Sequence, residues 1–390
     1  MENKLHANVY HRYPLTVVKG CGASLWDHEG NEYIDCMGGY GVAIVGHSNP
    51  KVVKAVKNQA ERLITCHGSL YTNVRATLED KIIEISPAGL DKLLLCNTGA
   101  EAVEAAIKLA RKHTGRGGIV AMTGSYHGKT LGALSATWNQ KYRAAFAPMV
   151  PEVRFTSFGK PDKVEAAVSK DTAAVIVEPV QGESGIHVSP DGFLSKVREI
   201  CDKQGSLLIF DEVQSGFGRT GKMWASEHWD VTPDIMCTSK GIGGGLPLAA
   251  TIGSNNVMSS FTLGDHTSTF GGNPLVCAAG IAAIDYMSDE NLVDRAYRIG
   301  GIFRKHLEEL VQKHRVAREV RGLGLMLALE LRFDIKELIM KALTEGIILL
   351  YSGRNNLRFL PPLVISEEQI TKVVKVLDFL LTKEDAKIPS

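Results

Sequence analysis

An alternation of apolar runs with helical patterns between residues 93 and 253 is the feature that most limits how this chain can fold. Seven runs have the length of a buried strand, and they are 93–96, 119–122, 153–156, 173–177, 207–210, 235–237 and 250–253. Helical patterns at 100–112, 163–168 and 192–203 separate several of them. Strands read as continuous apolar runs when helices cover both faces of their sheet. The sequence therefore predicts an α/β fold with a mostly parallel sheet covered by helices.

The segments on either side of this region predict a second, smaller domain. After residue 273 the patterns are helices at 274–287, 292–313, 335–345 and 367–381, with single strands at 320–331 and 347–351. Near the N-terminus, residues 14–36 alternate short extended pieces with turns, which is typical of a hairpin. We expect residues 49–273 to form a large domain and residues 274–390 a small α+β domain, which the segment 1–48 joins.

Composition excludes several functional classes. The formal net charge of +1 gives no electrostatic reason to expect nucleic acid or a membrane as a partner. The first residues lack the apolar core of a signal peptide, and no apolar run approaches the roughly 18 residues of a spanning helix, so a cytoplasmic protein is expected. The 7 cysteines are scattered and never spaced as CxxC, which argues against a disulfide scaffold or a zinc site, and no metal is expected.

An acid and a lysine follow two of the predicted strands. The run 207–210 ends on Asp211, and the run 235–237 ends shortly before Lys240 and the glycine-rich turn GIGGGLP. In open α/β sheets, ligands bind beyond the carboxyl ends of the strands, so both groups are expected to face one site. A carboxylate together with a lysine that forms a Schiff base is what pyridoxal phosphate chemistry requires.

Other strand ends carry weaker signals. The strand-to-helix turn at Thr98 and Gly99 offers free N–H groups to a phosphate. The segment TGSYHGKT misses the nucleotide P-loop pattern by one position, whereas its Tyr126 could stack on a planar heterocycle. Glu183 follows another strand end. Arg358, in NNLRFLPPL, could pair with a structural acid or clamp a substrate carboxylate.

Seven segments, in order, resemble the signature of class III, fold-type I pyridoxal phosphate aminotransferases. They are NTGAEA, YHG, EPVQGE, FDEVQSGFGRTG, SKGIGGGLP, STFGGNP and LRFLPPL. Within that class the chain is most similar to acetylornithine aminotransferases and to relatives that act on lysine or ornithine attached to an amino-group carrier protein.

The resemblance implies pyridoxal phosphate as the cofactor and gives roles to specific residues. Lys240 would bind the cofactor covalently and move the substrate proton, and Asp211 would keep the pyridine nitrogen protonated. The other implied cofactor contacts are Gly99, Ala100 and Thr269 at the phosphate, Tyr126 and Val213 at the ring faces, Gln214 at the phenolic oxygen, and Glu212. In the family the threonine comes from the neighbouring subunit, which implies a homodimer with shared sites.

Four residues are implied in substrate binding. Arg358 would hold the α-carboxylate of glutamate, and Glu183 would neutralise that arginine when a terminal amine is the donor. Lys129 stands where acetylornithine enzymes usually have an arginine, so it keeps the charge but loses the two-pronged geometry. Ser268, next to Thr269, is a further candidate contact.

The expected activity is transfer of the terminal amine of an N-blocked ornithine or lysine to 2-oxoglutarate, giving a semialdehyde and glutamate in arginine or lysine biosynthesis. The partners would be these small molecules or an acidic carrier protein. Free ornithine or 4-aminobutyrate is the nearest alternative donor. An aminomutase or dialkylglycine decarboxylase of the same fold type, and a non-catalytic nucleotide-binding protein, are further alternatives.

Overall fold

The computed structural model describes residues 2–387, which form one sheet of seven strands, two of four strands and one of two strands. The strands are β1 Val17–Cys21, β2 Ser24–Asp27, β3 Glu32–Asp35, β4 Lys92–Cys96, β5 Gly118–Met122, β6 Val153–Thr156, β7 Thr172–Val177, β8 Val180–Gln181, β9 His187–Val188, β10 Leu207–Asp211, β11 Ile235–Thr238, β12 Ala249–Gly253, β13 Ala317–Leu323, β14 Met326–Leu331, β15 Ile347–Ile348, β16 Leu350–Ser352 and β17 Asn356–Phe359.

In the described part of the chain, residues 2–387, fourteen α-helices connect and cover these strands. They are α1 Glu2–Leu5, α2 Gly38–Gly41, α3 Pro50–Ala60, α4 Asn73–Glu84, α5 Gly99–Thr114, α6 Leu131–Ser135, α7 Gln140–Arg143, α8 Pro161–Ala167, α9 Phe193–Gln204, α10 Asn255–Met258, α11 Pro274–Asp289, α12 Leu292–Lys313, α13 Lys336–Thr344 and α14 Glu367–Asp385. Within residues 2–387, no helix is both long enough and apolar enough to cross a membrane.

The large sheet confirms the predicted mostly parallel α/β architecture. Its strand order is β4-β12-β11-β10-β7-β5-β6, and only β12 runs antiparallel to its neighbours. Each of its seven strands has bounds within one residue of those predicted. Six strands therefore direct their carboxyl ends to the same edge of the sheet, which is where ligands bind in such folds.

Burial of both faces explains why the central strands are apolar throughout. In β10, Leu207 and Ile209 pack among residues of α5, while Leu208 and Phe210 pack on the opposite face against α9. Successive strand residues point to opposite sides of a sheet, so a strand covered twice needs apolar residues at every position. Burial of each such side chain stabilises the fold by about 1.5–3 kcal/mol.

Helix α5 begins and ends at residues suited to those positions. Thr98 caps the N-terminus, where its hydroxyl accepts a hydrogen bond from the N–H of Glu101 (3.2 Å), and Gly115 ends the helix in the left-handed region. The face towards the sheet is rich in alanine, which brings the helix close to the strands. The N-terminus of α5 is thereby fixed at the carboxyl edge of the large sheet.

The two four-stranded sheets correct two predictions. The segment 320–331 was predicted as one strand, but it contributes to the antiparallel hairpin β13–β14, because Gly322 and Gly324 adopt positive φ angles that allow the chain to turn back. The segment 347–351 divides into β15, which pairs with β3, and β16, which pairs with β17. The predicted closing helix is confirmed and extends to Asp385.

Pairing of β15 with β3 brings the N-terminal sheet next to the C-terminal region. Helix α11, by contrast, packs against α3 and α4, and its Gly280 lies beside Leu78 and Leu248. The division into segments 1–48, 49–273 and 274–390 stays a prediction.

Candidate active site

Nine of the residues predicted from the sequence line one cavity of about 670 Å³ at the carboxyl edge of the large sheet. They are Gly99, Ala100, Tyr126, Lys129, Glu183, Asp211, Val213, Gln214 and Lys240. Eight of them end or follow strands of the large sheet, so the shared direction of these strands brings them together, while Glu183 lies between β8 and β9.

Asp211, the last residue of β10, is buried and held in one orientation. Its Oδ2 accepts a hydrogen bond from Nδ1 of His127 (2.7 Å), and its Oδ1 accepts one from the N–H of Val213 (3.1 Å). Burial opposes protonation of His127, but the hydrogen bond and charge of Asp211 outweigh it and raise the pKa of the imidazole. The cavity therefore has a fixed carboxylate backed by a histidine.

Lys240 begins a short 3-10 helix and has a φ of 49°, in the left-handed region that a side chain rarely adopts. Burial lowers the pKa of its amine, and the nearby Glu183 and Asp211 carboxylates only partly oppose that shift. Such backbone strain is typical of functional sites, where the surroundings hold a residue in an unfavourable conformation. A buried amine that loses its proton easily is suited to attack a carbonyl.

The N-terminus of α5 forms another wall of the cavity. A Cβ at Gly99 would lie 2.7 Å from Cγ1 of Val213, and a Cβ at Gly128 would lie 2.7 Å from Cβ of Ala100. Both glycines thus allow backbone to approach its neighbours where a side chain would collide. The first N–H groups of a helix have no partner within the helix, so this end suits an anionic group such as a phosphate.

Arg358, which is fully buried, forms an ion pair with the partly exposed Glu183 behind the cavity. Nη1 of Arg358 donates to Oε1 of Glu183 (2.7 Å), to the carbonyl of Gly182 (2.9 Å) and to Oε1 of Gln214 (3.3 Å). Burial alone would raise the pKa of Glu183, but the guanidinium outweighs it and holds that pKa below its usual range. Nε and Nη2 of Arg358 have no hydrogen-bond partner among the described residues, so the arginine keeps unused donors.

Lys129 is held by aromatic rings. Its amine lies 2.9 Å from the ring centroid of Tyr142 and 5.4 Å from that of Tyr126, and the two tyrosine rings contact each other edge to face. Burial lowers the pKa of Lys129, with Glu183 opposing the shift. The charge of Lys129 is therefore directed at a ring rather than at a carboxylate.

Four predicted site residues do not line this cavity: Arg358, which lies behind it, and Ser268, Thr269 and Glu212. Ser268 accepts hydrogen bonds from Nδ2 of Asn97 (3.2 Å) and from the N–H of Gly271 (2.9 Å), and Thr269 is exposed on the surface of the chain. Glu212 points away from the cavity. Its carboxylate is buried and accepts hydrogen bonds from Oγ of Ser215 (2.6 Å) and from the N–H of Ser226 (2.8 Å).

Sequence reasoning missed other residues of the site. His127, Tyr142 and Glu178 were not predicted to belong to it, although His127 and Glu178 each follow a strand end. Glu178 accepts hydrogen bonds from the N–H groups of Tyr126 (2.9 Å) and Gly182 (3.2 Å), and burial raises its pKa to about 7. The segment from which Tyr142 comes carries no motif that could have indicated its contact with Lys129.

The buried Glu212 carboxylate predicts a pH-dependent stability. Burial raises its pKa from 4.5 to about 7, so folding favours the protonated form. The stabilisation is present at low pH and is lost as the pH rises towards 7, with a total of about 3 kcal/mol. Glu212→Gln should flatten the fall in the free energy of unfolding between about pH 5 and 7.5, as measured by urea denaturation. The exposed Glu165→Gln variant is the control, and an equal pH slope in both variants would contradict the assignment.

The family model for class III aminotransferases matches residues 5–381 of this chain. The chain belongs to the class III aminotransferases. It is 48% identical to the acetylornithine aminotransferase of Methanopyrus kandleri over 95% of each chain. It is 44% identical to the LysW-aminoadipate semialdehyde transaminase of Deinococcus radiodurans, over 97% of this chain and 89% of that one. The ornithine aminotransferase of Toxoplasma gondii superposes with a TM-score of 0.95 at 33% identity, over 99% of this chain and 94% of that one.

Class III aminotransferases use pyridoxal phosphate, and the cavity fits that group. It combines a fixed buried carboxylate at Asp211, the lysine Lys240 with a lowered pKa, and a helix N-terminus with space beside Gly99. These are the features that a protonated pyridine nitrogen, an aldehyde and a phosphate require. Residues 2–387 contain no cluster of three or more side chains arranged to hold a metal ion.

Proposed function

We propose that this aminotransferase moves the terminal amine of an N-blocked ornithine or lysine to 2-oxoglutarate, giving a semialdehyde and glutamate. The observation that carries the proposal is the ion pair of the buried Arg358 with Glu183, whose Nη1 and Oε1 atoms lie 2.7 Å apart. Glutamate has a carboxylate next to its reacting amine, whereas a terminal amine has none. A site that processes both in turn needs a cation that can be either exposed or neutralised.

The pair meets that need without a second site. With a terminal amine bound, Glu183 neutralises Arg358, so no buried charge is left without a partner. With glutamate bound, its α-carboxylate takes the place of Glu183 and can use both prongs of the guanidinium. The side chain of Glu183 is 27% exposed while that of Arg358 is 0% exposed, so the acid is the partner with room to move.

The residues around the reacting atoms have separate tasks. Pyridoxal phosphate, when bound, supplies an electron-accepting ring that stabilises negative charge on the substrate carbon. Asp211 would hold a proton on the ring nitrogen, and His127 keeps that carboxylate in place. Lys240 would hold the cofactor and would serve as the base that takes the proton from the substrate carbon. Gly99 and Ala100 would donate N–H groups to the phosphate, while Tyr126, Val213 and Gln214 would orient the ring.

The blocked end of the substrate would bind near Lys129. Since the amine of Lys129 rests on the ring of Tyr142, it offers a single positive charge with an aromatic surface beside it. The names of the two enzyme relatives in Methanopyrus kandleri and Deinococcus radiodurans support an acetyl group or a carrier protein as the blocking group. Free ornithine is the second candidate donor, because the ornithine aminotransferase of Toxoplasma gondii has nearly the same fold.

A homodimer with shared sites is part of the proposal. Thr269 is exposed and lies outside its own cavity, which suits a contact to the phosphate in a neighbouring subunit. Phe270, the next residue, is exposed, and so are Leu263 and Tyr71. Large apolar side chains on a surface often mark an interface. A monomeric holoenzyme in analytical ultracentrifugation would contradict the shared site. A cytoplasmic location stays a prediction.

Single-turnover kinetics test the function directly. We expect the cofactor-loaded enzyme to react with N-acetylornithine or carrier-linked lysine at least about tenfold faster than with free ornithine or 4-aminobutyrate, since the blocked end gains contacts at Lys129. Glutamate should react in the same assay, because it is the product of the second half of the cycle. Equal rates for blocked and free donors would contradict the proposed substrate class, and no reaction with glutamate would contradict the amino acceptor.

A further inference from the structure

Glu183 lies on a short hairpin, which we call the switch hairpin and define as residues 180–188. It consists of β8, β9 and the connecting residues 182–186. The hairpin packs against β13 of the sheet formed by β13, β14, β17 and β16, and that sheet also carries Arg358. The acid and its arginine are therefore positioned by two elements that touch each other.

Two arginines of that sheet hold the two ends of the connecting loop. Arg321 on β13, Ala328 on β14 and Arg358 on β17 are in register, so their side chains point to the same face. Nη1 of Arg358 donates to the carbonyl of Gly182 (2.9 Å), and Nε of Arg321 donates to the carbonyl of Gly185 (3.1 Å). Glu183 thus lies between two backbone carbonyls that are both fixed to one sheet.

The guanidinium of Arg321 is itself held firmly. Its Nη1 donates to Oε2 of Glu330 (2.6 Å) and contacts Glu319, and its Nη2 donates to Oδ1 of Asn356 (2.6 Å). The side chain is 16% exposed, so the interactions are only partly screened by water. Arg321 is therefore a rigid donor towards the switch hairpin.

Two further contacts fix the backbone of the hairpin. The hydroxyl of Ser352 donates to the carbonyl of Glu183 itself (2.7 Å). Ile186 is fully buried against Ala328 and its neighbours, and its φ of 56° is unusual for a β-branched residue. A strained backbone of this kind persists only where the surroundings hold it. The loop backbone is thus anchored along its length, while the side chain of Glu183 reaches the cavity.

We propose that Arg321 is a positioning residue for the exchange between the two amino donors: it anchors the switch hairpin so that the Glu183 side chain alone moves on and off Arg358. This inference rests on the proposed function, in which Glu183 must neutralise Arg358 for a terminal amine. With the backbone fixed, the pair re-forms by rotation of one side chain. With the Gly185 carbonyl released, Glu183 would be presented to Arg358 less often.

The test compares Arg321→Gln with Arg318→Gln. Both arginines donate to Glu330, but only Arg321 reaches the hairpin, and Arg318 donates to Oε1 of Glu330 at 2.7 Å. In Arg321→Gln we expect the rate constant kcat/KM of the terminal-amine half-reaction to fall about tenfold, the effect of losing a hydrogen bond from a charged group. The glutamate half-reaction, which uses Arg358 without Glu183, should change less than about threefold. Arg318→Gln should leave both half-reactions within about twofold of the wild type.

Hydrogen exchange gives a readout that does not depend on turnover. Peptides covering residues 180–188 should exchange faster in Arg321→Gln than in Arg318→Gln, because only the first variant releases the hairpin. If Arg321→Gln fails to fold, Ser352→Ala removes the hydrogen bond to the Glu183 carbonyl and should give the same unequal effect on the two half-reactions.

The role of Arg321 would be overturned by equal losses in both half-reactions. It would also be overturned if Arg318→Gln had the same unequal effect on the two half-reactions. That result is distinct from failure of the proposed function, which would appear as a wild-type enzyme that does not react with any terminal-amine donor. The positioning role would be supported if the wild type performs both half-reactions and only the Arg321 and Ser352 variants slow the terminal-amine half-reaction more than the glutamate half-reaction.

Discussion

Lys240→Ala should lower turnover by at least about 10³-fold, because it removes the group that we propose to hold the cofactor and to move the substrate proton. Burial lowers the pKa of this amine, so it gives up its proton more readily than an exposed lysine does. The cofactor should still bind through Asp211 and the N-terminus of α5, but without a covalent bond. Steady-state kinetics measure the first effect, and mass spectrometry after borohydride reduction measures the second.

Lys203→Ala is a matched control for that variant. Lys203 is exposed, pairs with Glu165 and lies outside the cavity, so its removal should leave turnover and covalent cofactor attachment unchanged. Ordinary activity in Lys240→Ala, or a reduced cofactor adduct on some other lysine, would show that Lys240 does not have the proposed role.

Arg358→Ala should impair the glutamate half-reaction by about 10²-fold or more, because the α-carboxylate loses a buried, charge-assisted hydrogen-bond donor. The terminal-amine half-reaction should fall less, since it needs Arg358 only as a neutralised group. The carboxylate of Glu183 would also be left without its partner at 2.7 Å, which adds repulsion against glutamate. Single-turnover rates with glutamate and with a terminal-amine donor give the ratio of the two half-reaction rates.

Glu183→Gln is the mirror variant for this test. It leaves Arg358 charged when a terminal amine is bound, so the terminal-amine half-reaction should fall more than the glutamate half-reaction. The two variants are therefore expected to shift the ratio of half-reactions in opposite directions. Proportional losses in both variants would mean that the Arg358–Glu183 pair does not select between the donors.

The local sequence was sufficient to predict a strand or a helix end where one physical cause dominated. The run that became β10 is apolar at every position because both faces of the large sheet are covered, and the strand bounds follow from that pattern. Thr98 and Gly115 fit the two ends of α5 for equally local reasons. The hairpin of β13 and β14 was missed because an apolar run on both sides of a turn reads as one strand unless positive φ angles are known.

In the site, too, some features followed from the local sequence and others only from the tertiary structure. Glu212 follows Asp211 directly, yet one carboxylate faces the cavity and the other is buried against Ser215 and Ser226. Sequence position alone could not assign the two sides, because the chain leaves the strand between them. His127 was missed since its contact with Asp211 joins residues 84 positions apart.

The sequence by itself determined the family, the α/β alternation and the strand ends that carry Asp211 and Lys240, because short-range patterns and ordered motifs encode them. Only the tertiary structure decided which groups touch: Arg358 on Glu183 across 175 positions, and Arg321 on Gly185 across 136. Those contacts depend on how the antiparallel sheet that carries Arg321 and Arg358 packs against the switch hairpin. That packing is set by the summed burial of many residues, so it cannot be inferred from any single segment of the chain.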